Sequence, residues 1–205
     1  MADESVLPPG IKPAELRAAV RDRYAAVASE PDGHYSFRVG RHFAEALGYP
    51  TELLDSVPLT ATEAFTGVAT PMLRAELQAG ETVLDLGCGG GLDLALAVRA
   101  VGPTGRAIGI DMAAPMVERA SATVRALGFG WAEARVAYAE ALPLADATID
   151  CVVANGILNL APDKTAVLAE VARVLKPAGR FVLAETTLRH ELPPDSIQSL
   201  EDWFR

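Results

Sequence analysis

From Thr82 onward, short apolar segments of the chain alternate with longer amphipathic ones. This alternation is the pattern of a parallel β-sheet that helices cover on both faces, with right-handed crossovers between the strands. The apolar segments predict strands at Thr82–Leu86, Arg106–Ile110, Glu133–Tyr138, Ile149–Ala154 and Arg180–Glu185. The amphipathic segments predict helices at Leu92–Val101, Pro115–Leu127 and Lys164–Leu175, the last one capped by Asp163. We therefore expect a doubly wound α/β fold.

The segment before Thr82 has helical periodicity and predicts no strand. Helices are predicted at Ala14–Ala28, at Gly40–Leu47 and at Thr60–Leu77, the last interrupted near Gly67 and Pro71. The first ten residues predict a loose terminus. We expect two domains, an N-terminal helical cap of residues 1–59 and an α/β domain of residues 60–205.

A glycine-rich loop, Asp85-Leu86-Gly87-Cys88-Gly89-Gly90-Gly91, follows the first predicted strand. Such a loop lets the backbone approach a ligand closely, and the N-terminus of the following helix favours an anionic group. The dinucleotide fingerprint G-x-G-x-x-G fits at Gly87 and Gly89 but has Leu92 at its third position. The loop on its own is also compatible with an ordinary tight turn.

A second acid, Asp111, ends the next strand, twenty residues after Gly91. A carboxylate there lies in the ligand crevice of an open α/β sheet and can accept hydrogen bonds from both hydroxyls of a ribose. Without a ligand it would be a costly, partly buried charge. Together with Asp85, this acid favours a nucleotide-binding site of Rossmann-like type over a simple turn.

Composition excludes several other classes of protein. The formal net charge of −9 opposes binding to nucleic acid, and no apolar run approaches the length of a membrane span. The first thirty residues are too charged for a secretory signal. Two cysteines, Cys88 and Cys151, cannot form a disulfide framework or a four-thiolate zinc site. We expect a cytoplasmic protein with a small-molecule substrate and no metal.

Several phrases of the chain resemble class I S-adenosylmethionine-dependent methyltransferases of the arsenite methyltransferase group. More distantly, they resemble the quinone-biosynthesis methyltransferases. The resemblance extends from about Val20 to Trp203. It is carried by LGYPTELLDSVPLTATEAFTGVATP, GETVLDLGCGGGLD, AVGPTGRAIGIDM, AEALPLADATIDCVVANGILNLAPDK and VLAEVARVLKPAGR.

The resemblance implies S-adenosylmethionine as cofactor and assigns residues to its parts. Asp85, Gly87 and Gly91 would hold the methionine part, and Asp111 the ribose. Met112 would cover one face of the adenine, and the backbone of Ala139 would contact its edge. Tyr138 stands where related sequences often place an acid that accepts from the adenine amino group; either Glu140 substitutes for it or the contact is absent. The predicted cofactor-binding set is completed by Cys88, Gly89 and Asn155.

The chain departs from the arsenite methyltransferase pattern at the cysteines that would bind arsenic. Thr66 and Gly156 stand at two of these positions, and the third would lie beyond Arg205. A hydroxyl and a glycine do not replace soft thiolate ligands. The sequence therefore predicts an oxygen, carbon or other small-molecule acceptor.

Methyl transfer from a sulfonium is an in-line displacement and can proceed without a catalytic base. The predicted catalytic candidates that could orient or deprotonate an acceptor are His34 and Tyr35 in the cap and Asn155 after the fourth strand. Tyr24 and Asn159 are further candidates.

Two questions stay open at this point. Only twenty residues follow Glu185, so the C-terminal strands of a class I methyltransferase are missing. Truncation of the chain is the favoured explanation, and a homodimer through the uncovered sheet edge is the second. The alternative functions are a cofactor-binding protein without turnover and an NAD-dependent oxidoreductase.

Overall fold

The computed structural model describes residues 11–187, 189–190, 197 and 199–204. Its centre is a sheet of five parallel strands, β1 (Thr82–Leu86), β2 (Arg106–Asp111), β3 (Ala132–Val136), β4 (Ile149–Asn155) and β5 (Leu175–Ala184). The spatial order is β3-β2-β1-β4-β5. Strand order reverses between β1 and β4, so the ligand crevice of such a sheet lies at their carboxyl ends. The predicted doubly wound Rossmann-like fold is confirmed.

Helices cover both faces of the sheet. Those of the α/β part are α6 (Leu92–Val101), α7 (Ala114–Ala126) and α8 (Lys164–Val174). One buried cluster lies between α6, α7 and the sheet and includes Leu94, Val98 and Val124. The other lies on the α8 side and includes Ile149 and Val171. Burial of apolar side chains on both faces explains why the middle of β4, Cys151 to Ala154, and most of β1 are apolar.

The N-terminal part consists of five helices, α1 (Pro13–Ser29), α2 (Arg41–Leu47), α3 (Thr51–Asp55), α4 (Leu59–Thr62) and α5 (Pro71–Arg74). α1 and α4 contact α7, and α5 contacts β4 and β5. These helices therefore lie against the sheet domain, while the boundary at residue 59 stays a prediction.

The predicted helix Thr60–Leu77 is interrupted, as expected near Gly67 and Pro71, but the interruption is longer than predicted and leaves two short helices. Residues 63–70 leave the helix between α4 and α5, and the backbone of Val68 and Ala69 is hydrogen-bonded to the side chain of Asn155 instead. Pro71 then starts α5 at a position that proline favours. The helix α3 was not predicted.

The strands and helices after residue 80 match their predicted bounds within about two residues, except at β5. The prediction started this strand at Arg180, but it begins at Leu175, directly after α8. Its pairing jumps from Ile149 opposite Leu175 to Cys151 opposite Arg180, so residues 176–179 bulge out of the ladder. Continuous pairing thus does start at Arg180.

The described end of the chain forms one short helix, α9 (Leu200–Trp203), where Asp195 to Phe204 was predicted. Residues 195, 196 and 198 lie outside the described residues. Ser199 caps α9 by accepting from the amide of Asp202. Among the described residues, no sixth strand pairs with β5. None of the described helices is long and apolar enough to cross a membrane.

Candidate active site

A cavity opens at the carboxyl ends of β1, β2 and β4, beneath the N-terminal helices. The glycine loop, the ends of these strands and the turn after β4 form one side of it. Helix α1 and the segment between α4 and α5 form the other side. Residues from both sides that line it include Val20, Tyr24, Phe65, Thr66, Gly67, Asp85, Gly87, Cys88, Gly89, Asp93, Asp111, Asn155 and Gly156. The fold therefore brings together residues that are far apart in the sequence.

The glycine loop needs glycine for two separate reasons. Gly87, Gly89 and Gly91 all have positive φ angles, which side chains rarely adopt. A Cβ at Gly87 would lie 1.9 Å from the Cδ1 of Ile157, across the mouth of the loop. The amides of Gly87 and Cys88 donate to the carbonyl of Ile110 at 2.7 and 3.0 Å, which ties the loop to the end of β2.

Two carboxylates border this loop, Asp85, which is buried, and Asp111, which is half-buried. Asp85 is 2% exposed, and its Oδ2 has no hydrogen-bond partner among the described residues. Asp111 accepts from the amide of Gly89 through Oδ2 at 3.1 Å and from the amide of Ala113 through Oδ1 at 2.8 Å. Burial raises the pKa of both carboxyls, and the charges of Asp93 and Asp111 raise the pKa of Asp85 further.

This arrangement fits a ligand that carries a positive charge and hydroxyl groups. A buried carboxylate oxygen without a donor is costly, and a cationic amino group would supply that donor. Each oxygen of Asp111 has a lone pair left for a ligand hydroxyl. The methionine and ribose parts of S-adenosylmethionine have these groups, so the residues present fit that cofactor.

Directly after the loop, a second buried carboxylate belongs to a network that the sequence did not predict. Asp93, in the first turn of α6, accepts from the hydroxyl of Tyr49 at 2.7 Å and from the amide nitrogen of Asn155 at 3.2 Å. Burial raises the pKa of Asp93 to about 6, although both hydrogen bonds lower it. Burial also raises the pKa of Tyr49, which keeps its phenol neutral.

The predicted adenine-binding residues lie at the other end of the cavity. Met112, Ala139 and Glu140 line it. The carboxylate of Glu140 pairs with Arg17 of α1, with 2.9 Å between Oε1 and the guanidinium. The ion pair joins the N-terminal helices to the connection between β3 and β4.

Three of the predicted site residues are not in the described lining of this cavity. Gly91 starts α6 and packs against Ala120, whose Cα would lie 2.9 Å from an added Cβ. Tyr35 donates its hydroxyl to the carbonyl of Glu30, and His34 is exposed. The remaining predicted residues all line the cavity, namely Asp85, Gly87, Cys88, Gly89, Asp111, Met112, Ala139, Glu140 and Asn155.

The cysteines are poorly placed to bind a soft ligand. Cys151 is fully buried inside β4, and burial raises its pKa to about 11. Cys88 borders the cavity but is 6% exposed, and burial raises its pKa well above the usual value. Thr66 and Gly156, at the two positions where the family pattern has cysteine, both line the cavity. Neither thiol is therefore available as a thiolate.

Comparison with known proteins decides the family. Residues 77–205 match the family described as "Methyltransferase domain". The chain belongs to this methyltransferase family. The fold and the relatives agree with a class I S-adenosylmethionine-dependent methyltransferase, and they indicate S-adenosylmethionine as its cofactor.

Two curated relatives illustrate the range of the family. The chain is 34% identical over 197 residues to an arsenite methyltransferase of Halobacterium salinarum. This match covers 89% of this chain and 50% of that protein. It is 35% identical over 140 residues to the nocamycin O-methyltransferase of Saccharothrix syringae, covering 68% of this chain and 48% of that protein. The chain thus spans about half the length of these relatives.

A solved structure gives a similar picture. The arsenic(III) S-adenosylmethionine methyltransferase of Chlamydomonas reinhardtii superimposes with a TM-score of 0.60 at 32% identity. The match covers 76% of this chain and 51% of that one. The resemblance to the arsenite methyltransferase group is therefore confirmed at the level of sequence and fold.

Proposed function

We propose that the chain binds S-adenosylmethionine in this cavity and transfers its methyl group to a small-molecule acceptor. The observation that carries the proposal is the unpartnered Oδ2 of Asp85 beside a glycine loop that requires positive φ angles. When bound, S-adenosylmethionine supplies an electrophilic methyl group on a sulfonium. The protein's contribution is to orient the acceptor and to exclude water.

The residues of the loop side hold the cofactor in this proposal. Asp85 accepts from the amino group of the methionine part, and Asp111 accepts from the ribose hydroxyls. The loop backbone between them keeps Asp111 oriented, because the amide of Gly89 donates to it. Met112, Ala139 and Glu140 bound the adenine end.

The acceptor in this proposal is an oxygen- or carbon-centred small molecule instead of arsenite. Both thiols of the chain are buried with raised pKa values, and Thr66 and Gly156 replace the family cysteines. Relatives with other acceptors have comparable identity, since the chain is 34% identical over 197 residues to an arsenite methyltransferase and 35% identical over 140 residues to an O-methyltransferase. The choice of acceptor in this proposal therefore rests on the missing thiolates.

Orientation of the acceptor falls to uncharged side chains on the cap side. Tyr24 lines the cavity, and burial raises its pKa, so its phenol is a donor at neutral pH and not a base. The side chain of Asn155 is occupied by hydrogen bonds to residues 49, 69 and 93, which supports a role in holding the site together. Proton abstraction by His34 or Tyr35 stays a prediction.

Calorimetry and turnover test the proposal separately. We expect S-adenosylhomocysteine to bind and NADH not to bind; the reverse result would favour the NAD-dependent oxidoreductase. We then expect S-adenosylhomocysteine to form from S-adenosylmethionine with a phenol or quinol from a panel that includes arsenite and thiols. Binding without turnover of any acceptor would favour the cofactor-binding protein.

The homodimer through the free edge of β5 and the cytoplasmic location stay predictions. Analytical ultracentrifugation tests the dimer. A monomer that resists aggregation would contradict both the dimer and a truncated sheet edge.

A further inference from the structure

Three side chains from distant elements meet in a buried polar cluster beside the cavity. Tyr49 follows α2, Asp93 lies in the first turn of α6, and Asn155 ends β4. The Tyr49 hydroxyl donates to Asp93 Oδ1 at 2.7 Å, and Asn155 Nδ2 donates to Asp93 Oδ2 at 3.2 Å and lies 3.4 Å from the Tyr49 hydroxyl. We call these three residues the polar clamp.

Asn155 connects the polar clamp to a backbone segment that has no regular structure. Its Oδ1 accepts from the amides of Val68 and Ala69 at 2.8 and 3.2 Å. Its Nδ2 donates to the carbonyl of Ala69 at 3.0 Å. One amide side chain thus satisfies three backbone groups that neither α4 nor α5 includes, and Asp93 and Tyr49 fix its orientation.

The segment is also packed closely against the end of β4, at Asn155 and at Gly156. A Cβ on Gly67 would lie 2.4 Å from Asn155 Nδ2. A Cβ on Gly156 would lie 3.1 Å from Val68 Cγ1, at a φ of +75°. The absence of side chains at these positions places the segment directly on the end of β4.

We propose that the polar clamp is a positioning device that fixes residues 66–69 as the acceptor-side wall of the cavity. Thr66 and Gly67 of this segment line the cavity, as do Asp93 and Asn155. The assignment of this wall to the acceptor rests on the proposed function. The fixing of the segment itself does not depend on that function.

The variant Tyr49→Phe tests the polar clamp with little other change. It removes the hydroxyl from Asp93 and keeps the ring, which contacts Phe65 edge-on with 5.3 Å between centroids. We expect hydrogen exchange of the Val68 and Ala69 amides to accelerate about tenfold, because a hydrogen bond to a charged group is lost. Thr148→Val, which removes an exposed hydroxyl bonded to the Ala145 carbonyl, is the matched control and should change neither amide.

The amide of Leu84, which is fully buried in the central strand β1, reports global unfolding in the same experiment. Faster exchange at Val68 and Ala69 with unchanged exchange at Leu84 supports the proposal. Equal acceleration at all three amides, or none, overturns it. If Tyr49→Phe does not fold, Asn155→Ala provides the same measurement, with a larger expected acceleration at the two amides.

Two further readouts separate this inference from the proposed function. In Tyr49→Phe the affinity for S-adenosylhomocysteine should stay within about twofold, while KM for the best acceptor of the panel rises about fivefold or more with a smaller change in kcat. If the Val68 and Ala69 amides of Tyr49→Phe exchange faster but KM for the acceptor is unchanged, the assignment of this wall to the acceptor is wrong. A wild-type protein that binds no S-adenosylhomocysteine would contradict the proposed function and leave the exchange result standing.

Discussion

The two sides of the cavity are built in different ways. The centre of the loop side is one continuous segment, Asp85 to Gly91, together with Asp111 on the neighbouring strand. On the cap side, the segment between α4 and α5 is held by Tyr49, Asp93 and Asn155, which are separated by 44 and 62 residues and meet only in the folded chain. The first side gets its shape from backbone angles, the second from side-chain hydrogen bonds. Substitutions should therefore act on stability and ligand affinity differently on the two sides.

The largest expected effect is on the loop side, at Gly91. Gly91→Ala combines a φ of +89° with a Cβ 2.9 Å from the backbone of Ala120, so we expect the free energy of unfolding to fall by roughly 2–5 kcal/mol. Gly48→Ala, at the end of α2, is the matched control, because Gly48 also has a left-handed backbone, with a φ of +101°, and free space around the Cβ. This control should lower the free energy of unfolding only by the strain of a left-handed backbone at alanine, about 1–2 kcal/mol. Equal losses in urea denaturation would show that the Ala120 contact is unimportant.

On the cap side the largest effect should be a dependence of stability on pH. The pKa of Asp93 is raised from 3.8 to about 6, so the folded state binds its proton more tightly than the unfolded state does. The resulting stabilisation is complete below pH 3.8 and is lost as the pH rises through about 6; it amounts to roughly 2–3 kcal/mol. The groups that face Asp93 are Tyr49, Asn155 and the carboxyl of Asp85, whose pKa is also raised.

Asp93→Asn should therefore flatten the dependence of the unfolding free energy on pH between about pH 4.5 and 7. Asp150→Asn is the control, because Lys176 and the Thr82 amide lower the pKa of Asp150 against the effect of burial. The contribution of the Asp150 carboxylate to the free energy of unfolding is lost only at lower pH. An unchanged slope in Asp93→Asn would show that Asp93 does not carry the buried proton.

The third effect concerns ligand affinity on the loop side. Asp111→Ala should weaken binding of S-adenosylhomocysteine by about 1–3 kcal/mol, because ligand hydroxyls and the Gly89 amide lose their acceptor. Titration calorimetry measures the change. Asp146→Ala, at a carboxylate whose side chain is 78% exposed, is the control and should leave the affinity as it is. Unchanged affinity in Asp111→Ala would remove Asp111 from the site.

The same difference explains how far the sequence alone could predict the molecule. β1 and α6 were predicted with their observed bounds, and most of the predicted cofactor residues line the cavity, because local periodicity and glycine positions determine this side. Tyr49 and Asp93 were missed as site residues. An acid in the first turn of a helix is explained by the helix dipole alone, and no local pattern connects it with residues 44 or 62 positions away.

Two differences between the predicted and the observed elements have a related cause. The length of the break between α4 and α5 depends on hydrogen bonds that Asn155 Oδ1 accepts from amides 87 and 86 residues earlier in the chain. The early start of β5 depends on the pairing of Leu175 with Ile149. Both are tertiary contacts that override local propensity. The Gly67 and Pro71 interruptions were visible in the sequence, but the partner of the interrupted segment was not.

The smallest expected effect lies where the two sides touch. Arg17 of α1 pairs with Glu140 and lies over the ring of Tyr138 at 5.3 Å, but its side chain is 30% exposed. Arg17→Gln should therefore change the affinity for S-adenosylhomocysteine by less than about 1 kcal/mol, and added salt should reduce the difference. Arg23→Gln, which removes a similar pair with Glu201 away from the cavity lining, is the control. A loss in Arg17→Gln larger than that in Asp111→Ala would mean that the cap holds the cofactor more strongly than the loop side does, and the division of the cavity into two sides would fail.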